Sequence, residues 1–154
     1  MAIAIELTEF DATPTLEIRT RTPVAGLPAL IGRNYGLLSA YLAELGVKRA
    51  GVPFTSYHNT DMANLDVSMG FAVPPDVPGR GEILASALPS GQAAECLHVG
   101  PYAQMSQTYA ELFAWLGLHG YQPAGPIYEF YLNSPDEVSE SDLRTRIAVP
   151  VQRG

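Results

Sequence analysis

Glu129 sits inside an aromatic run, Tyr128-Glu129-Phe130-Tyr131. A carboxylate on a strand either faces water or lies in a ring-lined hollow. In the hollow its charge is costly to bury, and a bound cation relieves that cost. Aromatic faces add cation–π attraction of roughly 0.5 to 2 kcal/mol each. The same carboxylate can also take a proton from water as a general base, with Tyr131 or Tyr57 donating a hydrogen bond to a departing group. Other reactive residues are less organised. His98, in His98-Val-Gly-Pro-Tyr102, reads as a base or a ligand group, while His58 and His119 are scattered, so no metal-ligand spacing forms and no metal is expected. The single Cys96 lies in an apolar run and reads as a buried thiol in a reducing compartment rather than a nucleophile. No G-x-S-x-G, Walker loop or G-x-G-x-x-G occurs, and no cofactor is expected. The acidic stretch Pro135 to Asp142 lacks the glycine of a calcium loop and reads as solvated.

The elements that must hold these residues follow from periodicity. Ile3 to Phe10 and Thr15 to Thr22 alternate apolar and polar residues around Asp11-Ala-Thr-Pro14, which predicts a hairpin. Ile83 to Leu88 and Ala93 to Val99 repeat the pattern around Pro89-Ser-Gly91. Apolar residues at Leu30, Tyr35, Leu38, Leu42 and Leu45 predict a helix between Leu27 and Val47 that Gly46 caps, with Gly32 and Gly36 delaying its start. Met105, Tyr109, Leu112, Phe113, Trp115 and Leu116 predict a second helix from Tyr102 to Leu118, ended by Gly120. Each helix leads through a turn, Arg49-Ala-Gly-Val-Pro53 or Pro123-Ala-Gly-Pro126, into Phe54 to His58 or Ile127 to Leu132. Val67 to Val73 and Arg144 to Val151 are the closing strands.

This order, ββαββ, occurs twice. At an offset of 74 residues Gly46 meets Gly120, Tyr35 meets Tyr109, Leu38 meets Leu112, Tyr57 meets Tyr131 and Asn59 meets Asn133. After a slip of two residues, Ala72-Val-Pro74 meets Ala148-Val-Pro150. A fixed internal period marks two copies of one unit that share a core. The expectation is an α+β fold, a duplicated ββαββ unit with antiparallel sheets and one helix per half. The repeats run over about 1–74 and 82–151, joined by a proline-rich linker at 74–81, all within a single domain, 1–154. The helices should cover one face of each sheet, and the other faces should meet at a central cleft on a pseudo-two-fold axis. Glu129 then answers Thr55, an asymmetric charge in a symmetric frame, and Tyr57 and Tyr131 stand on opposite walls. Tyr109, paired with Tyr35, and Trp115, in place of Tyr41, read as core or as cleft wall.

With 154 residues and 47% apolar content, one core is well supplied. A net charge of −7, with charged residues at 16%, repels phosphate backbones and favours small cations, so nucleic acid is not an expected direct partner. Met1-Ala-Ile-Ala-Ile-Glu6 lacks a signal peptide's basic start, and no apolar run nears membrane-spanning length. A cytoplasmic protein without membrane contact is expected.

His98-Val-Gly-Pro-Tyr102, Leu112-Phe-Ala-Trp-Leu116, Gly120-Tyr-Gln-Pro-Ala-Gly-Pro126, Tyr128-Glu-Phe-Tyr-Leu-Asn133 and Arg144 to Val151 together resemble the GyrI-like small-molecule-binding domain, also known as the bacterial transcription-activator effector-binding domain. In the first half the family's Gly-Pro-Tyr is replaced by Gly26-Leu27-Pro28. The resemblance implies a duplicated unit with a central cleft, in which the glutamate of the penultimate strand, here Glu129, meets cationic or amphipathic ligands. It implies Tyr57, Trp115 and Tyr131 as wall residues, and a ligand-binding set completed by Tyr102, Tyr109, His98 and Thr55. Many such domains follow a DNA-binding segment, whereas Met1 here leads directly into the first strand. Others sequester drugs on their own, and a branch resembles hydrolases of strained, cyclopropane-type electrophiles. The leading expectation is a stand-alone module binding hydrophobic, often cationic compounds. A hydrolase using Glu129 and Tyr131, and a regulatory module acting on a partner protein, are the alternatives.

Overall fold

The computed structural model describes residues 3–48 and 51–154; the turn expected at Arg49-Ala50 and the leading Met1-Ala2 lie outside the described residues. The chain divides into two compact units, one of Met1–Phe10 with Gly91–Gly154 and one of Asp11–Ser90. Both are mixed α+β, with antiparallel strands and one α-helix apiece.

The first unit contains β1 (Ile5–Phe10), β6 (Gly91–Val99), α2 (Met105–Leu118), β7 (Tyr121–Pro123), β8 (Ile127–Tyr131) and β9 (Arg144–Arg153). Its strands pair in the order β1-β6-β9-β8, with β7 also on β9. Leu112 and Leu116, four apart on α2, pack with Met105 against Ala94 and Cys96 of β6 and Ile147, Val149 and Val151 of β9. Four-residue spacing puts the two leucines on one helix face, and burying each is worth about 1.5 to 3 kcal/mol. A 3-10 turn, Tyr102–Gln104, precedes α2, and Gly120 with φ of 75° follows it in the left-handed conformation that favours glycine.

The second unit contains β2 (Thr13–Thr22), α1 (Leu27–Leu45), β3 (Phe54–Tyr57), β4 (Leu65–Ala72) and β5 (Leu84–Leu88), paired in the order β5-β2-β4-β3. Leu38, Tyr41 and Leu42 of α1 cover Leu16, Ile18, Phe71 and Val73. Gly46 caps α1 with φ of 68°, as the sequence predicts. The helix nevertheless starts at Leu27 rather than late. Pro28 occupies its first turn, where a missing N–H costs nothing, and Gly32 and Gly36 lie on the exposed side with nothing near them. The expected linker is held to α1. Tyr41 donates to the Pro78 carbonyl at 2.7 Å, and Arg80 pairs with Glu44 while lying 4.4 Å over the Tyr41 ring.

The predicted hairpins do not form. Both sides of β2 are occupied, by β4 and β5, and both sides of β6 are occupied, by β1 and β9. No hydrogen-bonding edge is left for the strand adjacent in sequence. The register also corrects the assumed slip. Asn59 Oδ1 accepts from the Asp66 N–H at 2.9 Å, and Asn133 Oδ1 accepts from the Arg144 N–H at 2.8 Å. The segment between clamp and strand is therefore four residues longer in the first unit, and the sequence alignment of the closing strands is two residues out. Two is the strand period, so the error leaves every side chain on its proper face.

Candidate functional site

Strand alternation in β8 sorts its residues as expected. Tyr128 and Phe130 stack with centroids 6.1 Å apart on one face, and the Arg146 guanidinium lies 4.7 Å over Phe130. Ile127, Glu129 and Tyr131 take the other face. Across the ladder Glu129 is opposite Ile147, itself opposite Cys96, so the carboxylate stands beside apolar neighbours and is only 7% exposed.

Each carboxylate oxygen of Glu129 accepts a phenol. The Tyr131 hydroxyl donates to Oε1 at 2.9 Å, and the Tyr109 hydroxyl donates to Oε2. Tyr109 belongs to α2, so Glu129 faces the helix. That overturns the expectation that helix and functional face lie on opposite sides of the sheet. Tyr109 is packed against the core of its unit, and its phenol is long enough to reach the strand beneath. Hydrogen bonds to a charged acceptor are worth about 1.5 to 3 kcal/mol each. Hydrogen bonds donated to a carboxylate favour its ionised form and act against the cost of burying it.

Two further rings border this group. Tyr102, in the 3-10 turn and 40% exposed, meets Tyr131 edge to face, with centroids 6.0 Å apart at 72°. Burial, then the negative charge of Glu129, pushes the Tyr102 phenol above its ordinary range. Phe113, one helical turn after Tyr109, stacks on it at 6.4 Å.

The remaining candidates are distributed differently. His98 is 5% exposed, with Nε2 2.9 Å from the Pro101 carbonyl and Nδ1 2.7 Å from Thr108 Oγ1. A carbonyl only accepts, so Nε2 carries the proton, and in the neutral ring Nδ1 accepts from Thr108. Trp115 stacks on His119 at 4.1 Å and on Tyr121 at 6.1 Å, beside Arg153, which covers Tyr121. These contacts put it toward the C-terminal end of α2, about 9 Å along the helix from Tyr109. Thr55 and Tyr57 lie in the second unit. Thr55 is fully buried, 3.2 Å from the hydroxyl of Tyr35, which also donates to the Phe54 carbonyl. Tyr57 packs against Leu65, Val67 and Met69.

Sequence reasoning missed Thr145. It is directly opposite both His98 and Tyr131, so the three form one row across β6, β9 and β8 on the face of Glu129. Thr145 is 0% exposed, and its hydroxyl has no hydrogen-bond partner among the described residues. A polar residue at an inward position of β9, in series with Ile147 and Val149, was the available signal. Burial pushes the Cys96 thiol up to about 11, reinforced by Glu111 and Glu95, so it stays protonated and unreactive. Among the described residues no group of three or more His, Cys, Asp or Glu could hold a metal ion, and no helix is long and apolar enough to cross a membrane.

Comparison with known proteins agrees with this architecture. The C-terminal domain of EcmrR superposes with a TM-score of 0.89 at 24% identity, covering 100% of both chains. In the EcmrR–DNA complex the match has a TM-score of 0.88 at 22% identity, and the present chain spans only 59% of the EcmrR chain. A hydrolase from Listeria innocua matches with a TM-score of 0.69 at 16% identity, over 96% of this chain and 91% of that one. SAV2435 bound to tetraphenylphosphonium matches with a TM-score of 0.70 at 14% identity, over 97% of this chain and 94% of that one. At such identities the likeness is one of fold. No curated protein gives a significant match. The family profile that matches, over residues 3–152, is the GyrI-like small molecule binding domain, and the chain belongs to that family.

Proposed function

We propose that the chain binds hydrophobic, cationic small molecules at Glu129, with the rings of Tyr102, Tyr109 and Tyr131 as the bordering surface. The observation that carries this reading is a buried carboxylate held by two phenol donors. A carboxylate solvated by neutral hydroxyls keeps its charge in surroundings of low dielectric, where attraction to a cation is stronger than in water. Ring faces add cation–π attraction, and apolar neighbours reward a ligand with little water of its own. The binding of tetraphenylphosphonium by SAV2435, a fold relative, supports the choice of ligand class.

The second unit carries a comparable set without the charge. Tyr35 reaches Thr55 there, as Tyr109 reaches Glu129. With the matching asparagine clamps, this supports a duplicated ββαββ unit in a single domain, one copy of which has gained a carboxylate. The net charge of −7 suits cationic ligands, and the protonated, buried Cys96 suits a cytoplasmic setting.

Hydrolysis of a strained electrophile is a second reading. It draws on the Tyr131–Glu129 hydrogen bond of 2.9 Å, a donor beside a base. Binding requires nothing further, and we take it as the function.

Isosteric ions of opposite sign test the proposal. Tetraphenylphosphonium and tetraphenylborate have nearly the same shape and apolar surface. Equilibrium dialysis at 150 mM salt, where bulk charge is screened beyond about 8 Å, should show saturable binding of the cation and at least about tenfold weaker binding of the anion. Equal affinity for the two would mean that surface hydrophobicity, and no local charge, governs binding.

A further inference from the structure

We infer that His98 is a positioning residue of the Glu129 site, acting through Pro101 and Thr108 on the two tyrosines that follow them. This inference rests on the reading of Glu129, Tyr102, Tyr109 and Tyr131 as the binding group. The imidazole joins two residues seven positions apart, donating from Nε2 to the Pro101 carbonyl and hydrogen-bonding the Thr108 hydroxyl through Nδ1. Tyr102 directly follows Pro101, and Tyr109 directly follows Thr108. One ring therefore fixes the residue before the phenol that meets Tyr131 and the residue before the phenol that holds Glu129.

The turn that carries Tyr102 has little other freedom. Gly100 has φ of 126°, which side chains rarely adopt, and its N–H donates to the Leu143 carbonyl at 2.8 Å. Proline at 101 fixes φ, observed at −58°. Thr108 is 6% exposed, so its hydroxyl and both imidazole nitrogens are committed inside the protein. In this reading His98 serves the site by holding the residues beside the two tyrosines.

A double-mutant cycle on tetraphenylphosphonium affinity tests this. His98→Ala and Thr108→Val should each weaken binding by about five- to tenfold in the wild-type background. In a Tyr102→Ala, Tyr109→Phe background the same changes should cost less than about twofold, because coupled residues are non-additive. His98→Gln, whose amide can still donate to the Pro101 carbonyl, should recover part of the loss. Equal losses in both backgrounds would overturn the inference. A ligand-free readout keeps it testable if the wild type does not bind this cation, an outcome that sinks the binding proposal alone. With tyrosines isotopically labelled, the ring-to-ring nuclear Overhauser effect between Tyr102 and Tyr131 should disappear in Thr108→Val and His98→Ala while core methyl signals stay in place. Its persistence would likewise overturn the inference. Should His98→Ala fail to fold, Thr108→Val and His98→Gln decide it.

Discussion

Replacing Glu129 by glutamine is expected to weaken tetraphenylphosphonium binding by 10- to 100-fold while leaving tetraphenylborate unchanged or slightly improved. Glutamine has the shape of the glutamate it replaces. Its carbonyl accepts one phenol, and its amide can donate to the oxygen of the other, so the local frame survives. Only the charge is lost. Removing one partner of a buried, hydrogen-bonded charge pair costs about 2 to 5 kcal/mol. Solvation of a bulky, diffuse cation reduces that figure, and about 1.4 to 2.8 kcal/mol corresponds to the expected fold-change. Titration calorimetry at 150 mM salt with both ions provides the comparison. Parallel losses for cation and anion would reduce Glu129 to a structural part of the site and remove its ion-pairing role.

Gly70→Val is expected to destabilise the second unit by about 3 kcal/mol or more. Gly70 of β4 lies between Glu17 of β2 and Phe54 of β3. A Cβ there would stand 2.5 Å from the Leu16 carbonyl oxygen, 2.7 Å from Glu17 Cγ and 3.1 Å from Phe54 Cζ. The first of these is backbone and cannot rotate away. Overpacking usually costs about 1 to 3 kcal/mol, and a collision with a fixed carbonyl lies at or beyond the upper end. Gly32→Ala, on the exposed side of α1 with nothing within 4 Å, should instead stabilise by up to about 1 kcal/mol. Urea unfolding of the two variants should move the midpoint in opposite directions. An unchanged midpoint for Gly70→Val would mean that the β2-β4-β3 register is wrong.

Local patterns in the sequence were informative where the physics is local. The two-residue alternation of β8 separated Glu129 from Tyr128 and Phe130, and Gly46 marked the end of α1, because pleat and left-handed cap are decided within a few residues. Strand partnership was not local. Ile5–Phe10 and Thr13–Thr22 are almost contiguous, yet they pair with strands about 85 and 50 residues away, because only distant strands complete each ladder. The same limit hid which face of β8 the helix covers, and with it the bond from Tyr109 to Glu129. The start of α1 was misjudged from glycine content. Gly32 and Gly36 lower helix propensity, but Leu30, Ile31 and Tyr35 pack against Leu65, Val67 and Met69, and tertiary burial outweighs that penalty. His98 and Trp115 stand out in the sequence as polar or aromatic types near the motifs. Their partners, Pro101 and Thr108 for one and His119 and Tyr121 for the other, depend on side-chain packing that periodicity does not specify.

A crystal structure of the protein with tetraphenylphosphonium tests the central claim most directly. The account predicts the phosphonium centre within about 6 Å of the Glu129 carboxylate, a phenyl ring against Tyr102 or Tyr131, and one phenol donor turned toward the ligand. A cation seated elsewhere, with Glu129 still enclosed by Tyr109 and Tyr131 and no ring beside the ligand, would contradict it.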